Sequence, residues 1–209
     1  MEVPLSTAPR TPDARTRLLD AALAVIRVQG YAATSVDALC QAAGVTKGAF
    51  FHHFRNKEAL AVAAAAHWTE VTEGLFAEAP YHAIADPLDR LLGYLAFRRS
   101  LLQGAVADFT CLVGTMVQEE YETSPAIRMA CDAAISGHAA TLEPTIAAAM
   151  AVHDVAGDWT AESLALHTQA VIQGGFILGK AKYGPDHAAE TIDHLIRYVE
   201  LLFGRVPQH

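Results

Sequence analysis

Apolar residues recur at helical spacing from about residue 12 to the end of the chain, and almost no stretch alternates as a half-buried strand would. That periodicity restricts the chain to helices packed on helices. Composition agrees: of 209 residues, 52% are hydrophobic and only 18% charged, which suits helices that bury a wide face. The expected class is all-α, with three short helices ahead of several long ones.

Local signals divide the chain. Thr11 is the expected N-cap of the first helix, with Pro12 at its first position. Leu19, Ala22, Leu23 and Ile26 form its inner stripe, and Gly30 is its stop. TSVD (34–37) reads as a capping box opening a short helix through Ala43. Gly44 and Val45 make a tight break, and Thr46 caps a third helix to about Phe54. Val45 and Phe50 then occupy the two positions of a hydrophobic staple. Asn56 caps a fourth helix that extends toward Ala79. Later helices are expected from Pro87 to about Gln103 and from about Val106 to Tyr121. A long one from Ser124-Pro125 to Val152 should kink near Pro144, because proline cannot donate inside a helix. HDVAGDW (153–159) reads as a loop, and Thr160–Lys182 and Pro185–Phe203 as a hairpin joined at Tyr183-Gly184.

A helix of about eight residues, a glycine-bearing turn and a second short helix is the pattern of a DNA-reading helix-turn-helix. At roughly 100° per residue, Phe50 and Phe54 share one side of the third helix and join Val36, Leu39, Val45 and Leu60 in a small core. Gly48, Phe51 and His52 fall on the opposite side, and His53 lies at the border. Glycine within a helix costs about 1 kcal/mol relative to alanine, so close approach by another molecule would explain Gly48. Thr34, Ser35, Thr46, Lys47 and Lys57 sit at helix N-termini, where amides and side chains hold phosphates; solvated charge is the other reading of the two lysines, but their cap positions favour phosphate contact. His52 and His53 diverge on the helix and are not expected to share a metal ion.

Charge is permissive. The net charge is −8, yet residues 1–60 carry seven Lys/Arg against five Asp/Glu, and residues 61–209 carry eight against eighteen. A weakly basic head on an acidic body is compatible with nucleic acid. No apolar run reaches the roughly 18 to 20 residues of a membrane span. The opening MEVPLSTAPRTPDAR lacks the apolar stretch of a signal peptide. Cys40, Cys111 and Cys131 are odd in number and widely spaced, so a reducing, cytoplasmic setting is expected.

LLDAALAVIRVQGYAATSVDALCQAAGVTKGAFFHHFRNKEALAVA (18–63) resembles the DNA-binding domain of the TetR family of bacterial ligand-responsive transcriptional regulators. The residues that carry the likeness are the alanine-rich first helix, GYAATS at 30–35, AAGV at 42–45, TKG at 46–48, HF at 53–54 and NK with Leu60. The resemblance implies a DNA interface of Thr34, Ser35, Thr46, Lys47, Gly48, Ala49, Phe51, His52 and Lys57. One departure is Phe51, which stands where the family commonly has a tyrosine whose hydroxyl reaches phosphate. Here the ring would pack on sugar or a thymine methyl. The implied division is a tail (1–10), a helix-turn-helix domain (11–56) and a ligand-binding and dimerisation domain (57–209).

ESLALHTQAVIQGGFILGKAKYGPDHAAETIDHLIRYVELLFG (162–204) is similar to that family's last two helices, which build a four-helix dimer interface. Gly174, Gly175 and Gly179 would let helices approach closely, and Leu178, Leu195, Val199 and Leu202 supply apolar contact; intrachain core is the other reading of this face. The resemblance further implies a cavity for a small-molecule effector. Trp68, Tyr94, Phe97, Cys111, Thr115, Met116 and Glu119 are its candidates by helix position, though each taken singly reads more simply as core or surface. Cys111 lies in a C-L-x-G motif and is read as packing or as a sensor of electrophiles. Arg98-Arg99 reads as a solvated face or a salt bridge, with an anionic effector as the other partner.

The expected function is therefore a homodimeric repressor on a palindromic operator in double-stranded DNA, released by an effector. No cofactor or metal is expected. An activator or corepressor-dependent regulator would use the same head. An enzyme would need convergent acid, base or nucleophile groups, whereas the ten histidines are scattered and neither HExxH nor GxSxG occurs. A helical interaction module without DNA binding is the remaining class.

Overall fold

The computed structural model describes residues 12–206. Thr11 and the expected tail lie outside them. Eleven α-helices and one 3-10 turn account for the described secondary structure, with no strand among those residues.

The amino-terminal part comprises α1 (Ala14–Gln29), α2 (Val36–Ala43) and α3 (Lys47–His53), followed by the long α4 (Lys57–Ala77). Capping differs from expectation twice. Asp13 caps α1, its carboxylate accepting the Thr16 amide at 2.8 Å, so the helix begins two residues beyond Pro12. Ser35, not Thr34, caps α2 by accepting the Ala38 amide at 3.1 Å. Thr46 and Asn56 cap α3 and α4 as their spacing predicts. Gly44 closes α2 in the left-handed region (φ 62°), a conformation that favours glycine and turns the chain toward α3.

The body follows with the turn Pro80–Ala83, then α5 (Pro87–Ser100), α6 (Val106–Phe109), α7 (Leu112–Glu120), α8 (Pro125–Ala140) and α9 (Glu143–Val152). The hairpin α10 (Ala161–Lys182) and α11 (Asp186–Leu202) completes it. Two expected helices are each divided. The segment 106–121 breaks at Thr110-Cys111, where both residues are extended and the Cys111 Sγ caps α7 by accepting the Gly114 amide at 3.4 Å. The segment 125–152 stops at Ala140 and restarts at Glu143. A full break places Pro144 in a first turn, where its missing N–H leaves no hydrogen bond unmade.

Two apolar cores result. The first gathers Leu18, Ala22, Ile26, Leu39, Phe50, Phe54, Leu60 and Ala64 with Leu112, Val113, Met116, Ile127 and Cys131 from α7 and α8. The second joins Phe76, Leu88, Leu91, Tyr94, Leu95, Ile146, Ile172, Phe176, Ile192, Leu195 and Val199. The helix α4 enters both, through Leu60–Ala65 at one end and Phe76 at the other. The head is thus packed directly on α4 and α7, and α8 packs on those two helices in turn. No helix among the described residues is long and apolar enough to cross a membrane.

Candidate functional site

The outer surface of α3 is built by division of its ring residues. Phe50 and Phe54 are buried with ring centroids 5.9 Å apart, and they anchor α3 against the domain. Phe51 projects outward at 56% exposure, beside the exposed His52, while His53 is half-buried at the border. A Cβ on Gly48 would meet only the Thr46 hydroxyl, at 3.7 Å, so nothing among the described residues demands glycine there. Ala49 is half-buried next to it.

The remaining polar candidates separate into two groups. Ser35 and Thr46 are exposed at helix starts, with their hydroxyls accepting the cap hydrogen bonds. Lys47 is exposed but pairs with Asp37 of α2 at 2.8 Å, and that carboxylate holds the ammonium pKa above its usual value. Thr34 and Lys57 face inward instead. The Thr34 hydroxyl is buried, donating to the Gly30 carbonyl at 2.6 Å and accepting from Gln29. The Lys57 ammonium donates to the Tyr31 and Thr34 carbonyls, each at 3.0 Å, and lies 4.1 Å from the Tyr31 ring centroid. Burial pushes the Tyr31 phenol up to about 12. Both residues therefore hold the α1–α2 turn onto α4, with two of the three Lys57 N–H donors spent on its carbonyls.

In the body, a cavity of about 200 Å³ opens between α4, α5, α6, α8 and α10. Trp68, Phe76, Phe109 and Phe176 supply aromatic wall, and Arg98, His138, Gln169 and Gln173 supply polar groups. A second recess of about 300 Å³ shares the Phe76, His138 and Glu73 wall and adds Tyr81 and Tyr94. Tyr94 links the two. Its oxygen accepts from the Gln169 amide at 3.1 Å and lies 3.0 Å from His138 Nε2. Burial, then the neighbouring Arg98 charge, pushes the His138 imidazole down to about 4, so near neutral pH its Nε2 accepts the tyrosine hydroxyl. The protonated ring nitrogen is then Nδ1.

Of the seven residues expected at the cavity, Trp68 and Cys111 line the first space and Tyr94 the second. The other four are placed elsewhere. Phe97 packs on Phe76 and Tyr81, and Met116 is wholly buried in the head core. The Thr115 hydroxyl accepts the Lys180 ammonium at 2.6 Å and donates to the Cys111 carbonyl at 2.9 Å. Glu119 reaches across to the head, where its carboxylate accepts the Ala32 amide at 2.7 Å. Sequence periodicity puts these side chains on helices of the body but cannot say which neighbour each helix meets. His138, Gln169, Gln173 and Phe176 escaped notice for the same reason: nothing local marks them.

Two routes connect cavity and head. Along α4, Trp68 stacks with Arg27 of α1 at 5.1 Å, and Arg27 donates to the Asp108 and Leu23 carbonyls. Along α7, Cys111 stands at the cavity and Glu119 at the α1–α2 turn. Between α4 and α8, the Ser124 hydroxyl donates to Glu58 at 2.6 Å.

The hairpin corrects its expected interface in part. Leu195 and Val199 are buried in the chain's own core, and Gly175 lies against Ala188 and Thr191 of α11. Leu202 is half-buried. Outward on α10 and α11 stand Leu166, Ile177, Leu178, Tyr198 and Leu201, with open space over Gly174. Rings of His167 and Tyr198, 5.1 Å apart, join the two helices on that face.

Residues 18–64 match the family described as bacterial regulatory proteins, tetR family. The HTH-type transcriptional regulator LmrA of Bacillus subtilis (strain 168) is 26% identical over 174 residues, 79% of this chain and 86% of LmrA. Another Bacillus subtilis relative, the uncharacterized regulator YxaF, matches over only 62% of its own length. Among solved structures, a TetR transcriptional regulator from Chloroflexus aurantiacus J-10-FL superposes with a TM-score of 0.77 at 25% identity, over 89% of this chain and 93% of that one. The TetR family regulator CifR, solved as a cysteine mutant with 26bp double-strand operator DNA, gives 0.73 at 22% identity over 91% and 98%. Residues 18–64 are thus a domain of the tetR family of bacterial regulatory proteins, and the all-helical body they are packed on shares the fold of solved TetR-family regulators.

Proposed function

We propose that the chain is a homodimeric repressor that binds a palindromic operator and is released by a small-molecule effector. Residues 11–56 act as its DNA-binding domain, and 57–209 as its ligand-binding and dimerisation domain. The observation that carries the DNA reading is the exposed surface of α3. Phe51 and His52 are unburied, and Gly48 is a glycine in the first turn of α3 that no contact among the described residues requires. A base edge or backbone entering at Gly48 supplies that reason, with Ala49, Phe51 and His52 reaching into the major groove. Ser35, Thr46 and Lys47 flank it as phosphate contacts, Lys47 exchanging Asp37 for a phosphate. Thr34 and Lys57 contribute by holding the α1–α2 turn.

The apolar stripe of Leu166, Ile177, Leu178, Tyr198 and Leu201 supports dimerisation through α10 and α11, since pairing two copies would bury it. Recognition helices must then stand about 34–36 Å apart to meet successive major grooves. An effector entering the cavity beside Trp68 and Cys111 biases α4 and α7, and both end on the α1–α2 turn of the head. Linkage requires DNA to weaken effector binding by the same factor. Action on DNA places the protein in the cytoplasm.

A gel-shift titration with the DNA adjoining its own gene tests the reading. A specific complex at low salt that weakens steeply as salt rises is expected. Absence of any specific complex, with and without a small-molecule extract of the source cells, overturns it.

A further inference from the structure

Arg98 and Arg99 are neighbours in sequence with different fates. Arg99 is engaged with Asp193 through two hydrogen bonds, of 2.6 and 3.0 Å. Arg98 turns into the cavity, its guanidinium carbon 5.3 Å from the Phe76 ring centroid and 5.8 Å from that of Phe176. Among the described residues it has no carboxylate within ion-pair distance and no hydrogen-bond acceptor. Rings on its faces hold a guanidinium by cation–π attraction while leaving its in-plane N–H donors unspent. Those donors match the two oxygens of a carboxylate.

The rest of the wall adds uncharged groups able to donate hydrogen bonds. Neutral His138 keeps a hydrogen on the nitrogen not bonded to Tyr94, and Gln169 and Gln173 add amides. Two acids also line the space. Asp108 is occupied, its carboxylate accepting the Ala105 amide at 2.7 Å, and Glu73 is an exposed rim residue. Both carboxylates are exposed at the edge of the space, so the charge set between its aromatic rings is the Arg98 guanidinium.

We propose that the cavity binds a flat, apolar monocarboxylate, with its carboxylate on the Arg98 fork and its body against Trp68, Phe76, Phe109 and Phe176. This rests on the effector reading of the cavity and names the class of ligand. The occupant is recognised by one negative charge on an aromatic body, so a neutral amide of the same shape loses the ion pair and keeps only the apolar contacts.

The test uses the full chain without DNA, with 2-naphthoate and 2-naphthamide as probes and Trp68 fluorescence plus calorimetry as readouts. Naphthoate is expected to bind about tenfold to a hundredfold more tightly than the amide, the range of a charge-assisted hydrogen-bonded pair. R98M should bring the two affinities together, and R98K should keep part of the difference. A Trp68→Phe variant should bind by calorimetry without the fluorescence change. Equal binding of the two probes by the unaltered chain, an undiminished preference in a folded R98M, or no binding of naphthoate up to its solubility would each overturn the proposal. A preference for 2-naphthylmethylammonium would do the same and would assign the cavity to cations through Glu73. Naphthoate that binds through Arg98 yet leaves the DNA complex unchanged keeps the ligand class and removes its role as an effector. DNA binding without naphthoate binding does the reverse.

Discussion

The carboxylate of Glu119, at the end of α7, accepts the backbone N–H of Ala32 in the α1–α2 turn at 2.7 Å. The two residues are far apart in sequence, and the bond ties the body directly to the head. It lies at the surface, so its net worth is modest and its position matters more than its strength. Glu119→Ala should speed hydrogen exchange at the Ala32 amide by about three- to tenfold, the factor set by one ordinary hydrogen bond. The same variant should weaken the effect of a cavity ligand on DNA binding. Unchanged exchange at Ala32 would mean that the contact carries no restraint.

The two adjacent phenylalanines of α3 should behave oppositely. Phe50 is fully buried, and Phe50→Ala should lower folding stability by about 3–5 kcal/mol, as large-to-small core changes do. Phe51 is more than half exposed, so Phe51→Ala should leave the thermal midpoint nearly unchanged and weaken operator binding. Phe51→Tyr adds a hydroxyl able to meet a phosphate and should tighten that binding. Melting curves and gel shifts on the three variants check this together.

Two lysines at helix starts should also separate. Lys57→Met removes the donor shared by the Tyr31 and Thr34 carbonyls, so the melting temperature should fall. Lys47→Met loses only an exposed pair with Asp37, which contributes little to folding. Its effect should appear as weaker DNA binding and a salt slope smaller by about one.

His138 gives stability a pH dependence of known sign. Its folded value is depressed to about 4 from 6.5, because burial among Tyr94, Phe76, Gln169 and the Arg98 charge favours the neutral ring. The unfolded chain takes up the proton first as pH falls. The contribution is therefore present above about pH 6.5 and is lost progressively down to about pH 4, by up to roughly 3 kcal/mol. Urea unfolding at pH 7 and 4.5 measures it. His138→Gln keeps an acceptor for Tyr94 without a titrating group and should flatten the dependence.

The outward stripe of the hairpin is open to a direct test by sedimentation. Leu178→Glu together with Leu201→Glu should yield a folded monomer with much weaker operator binding, because both side chains are about half exposed or more in the single chain. Leu195→Glu should instead unfold the body, since an unpaired charge would be buried.

What the sequence determined by itself was everything set by neighbours a few residues apart. Helical periodicity, the Thr46 and Asn56 caps, the glycine turn at 44 and the angular split of Phe50 from Phe51 are properties of one helix and its ends. They are enough to identify the head. Even there, Lys57 read as a phosphate ligand because a helix N-terminus says nothing about the two carbonyls that the α1–α2 turn brings beneath it. The tertiary structure alone decided the cavity and the outward face of the hairpin. Arg98 and Arg99 have the same local signal, yet one meets Asp193 and the other two rings, since a rotation of about 100° along α5 turns them toward different neighbours. Leu195 and Leu201 likewise share an apolar pattern on α11, and only the position of α5 and α10 makes one core and the other surface. Which side of a helix is covered is a property of the packed chain.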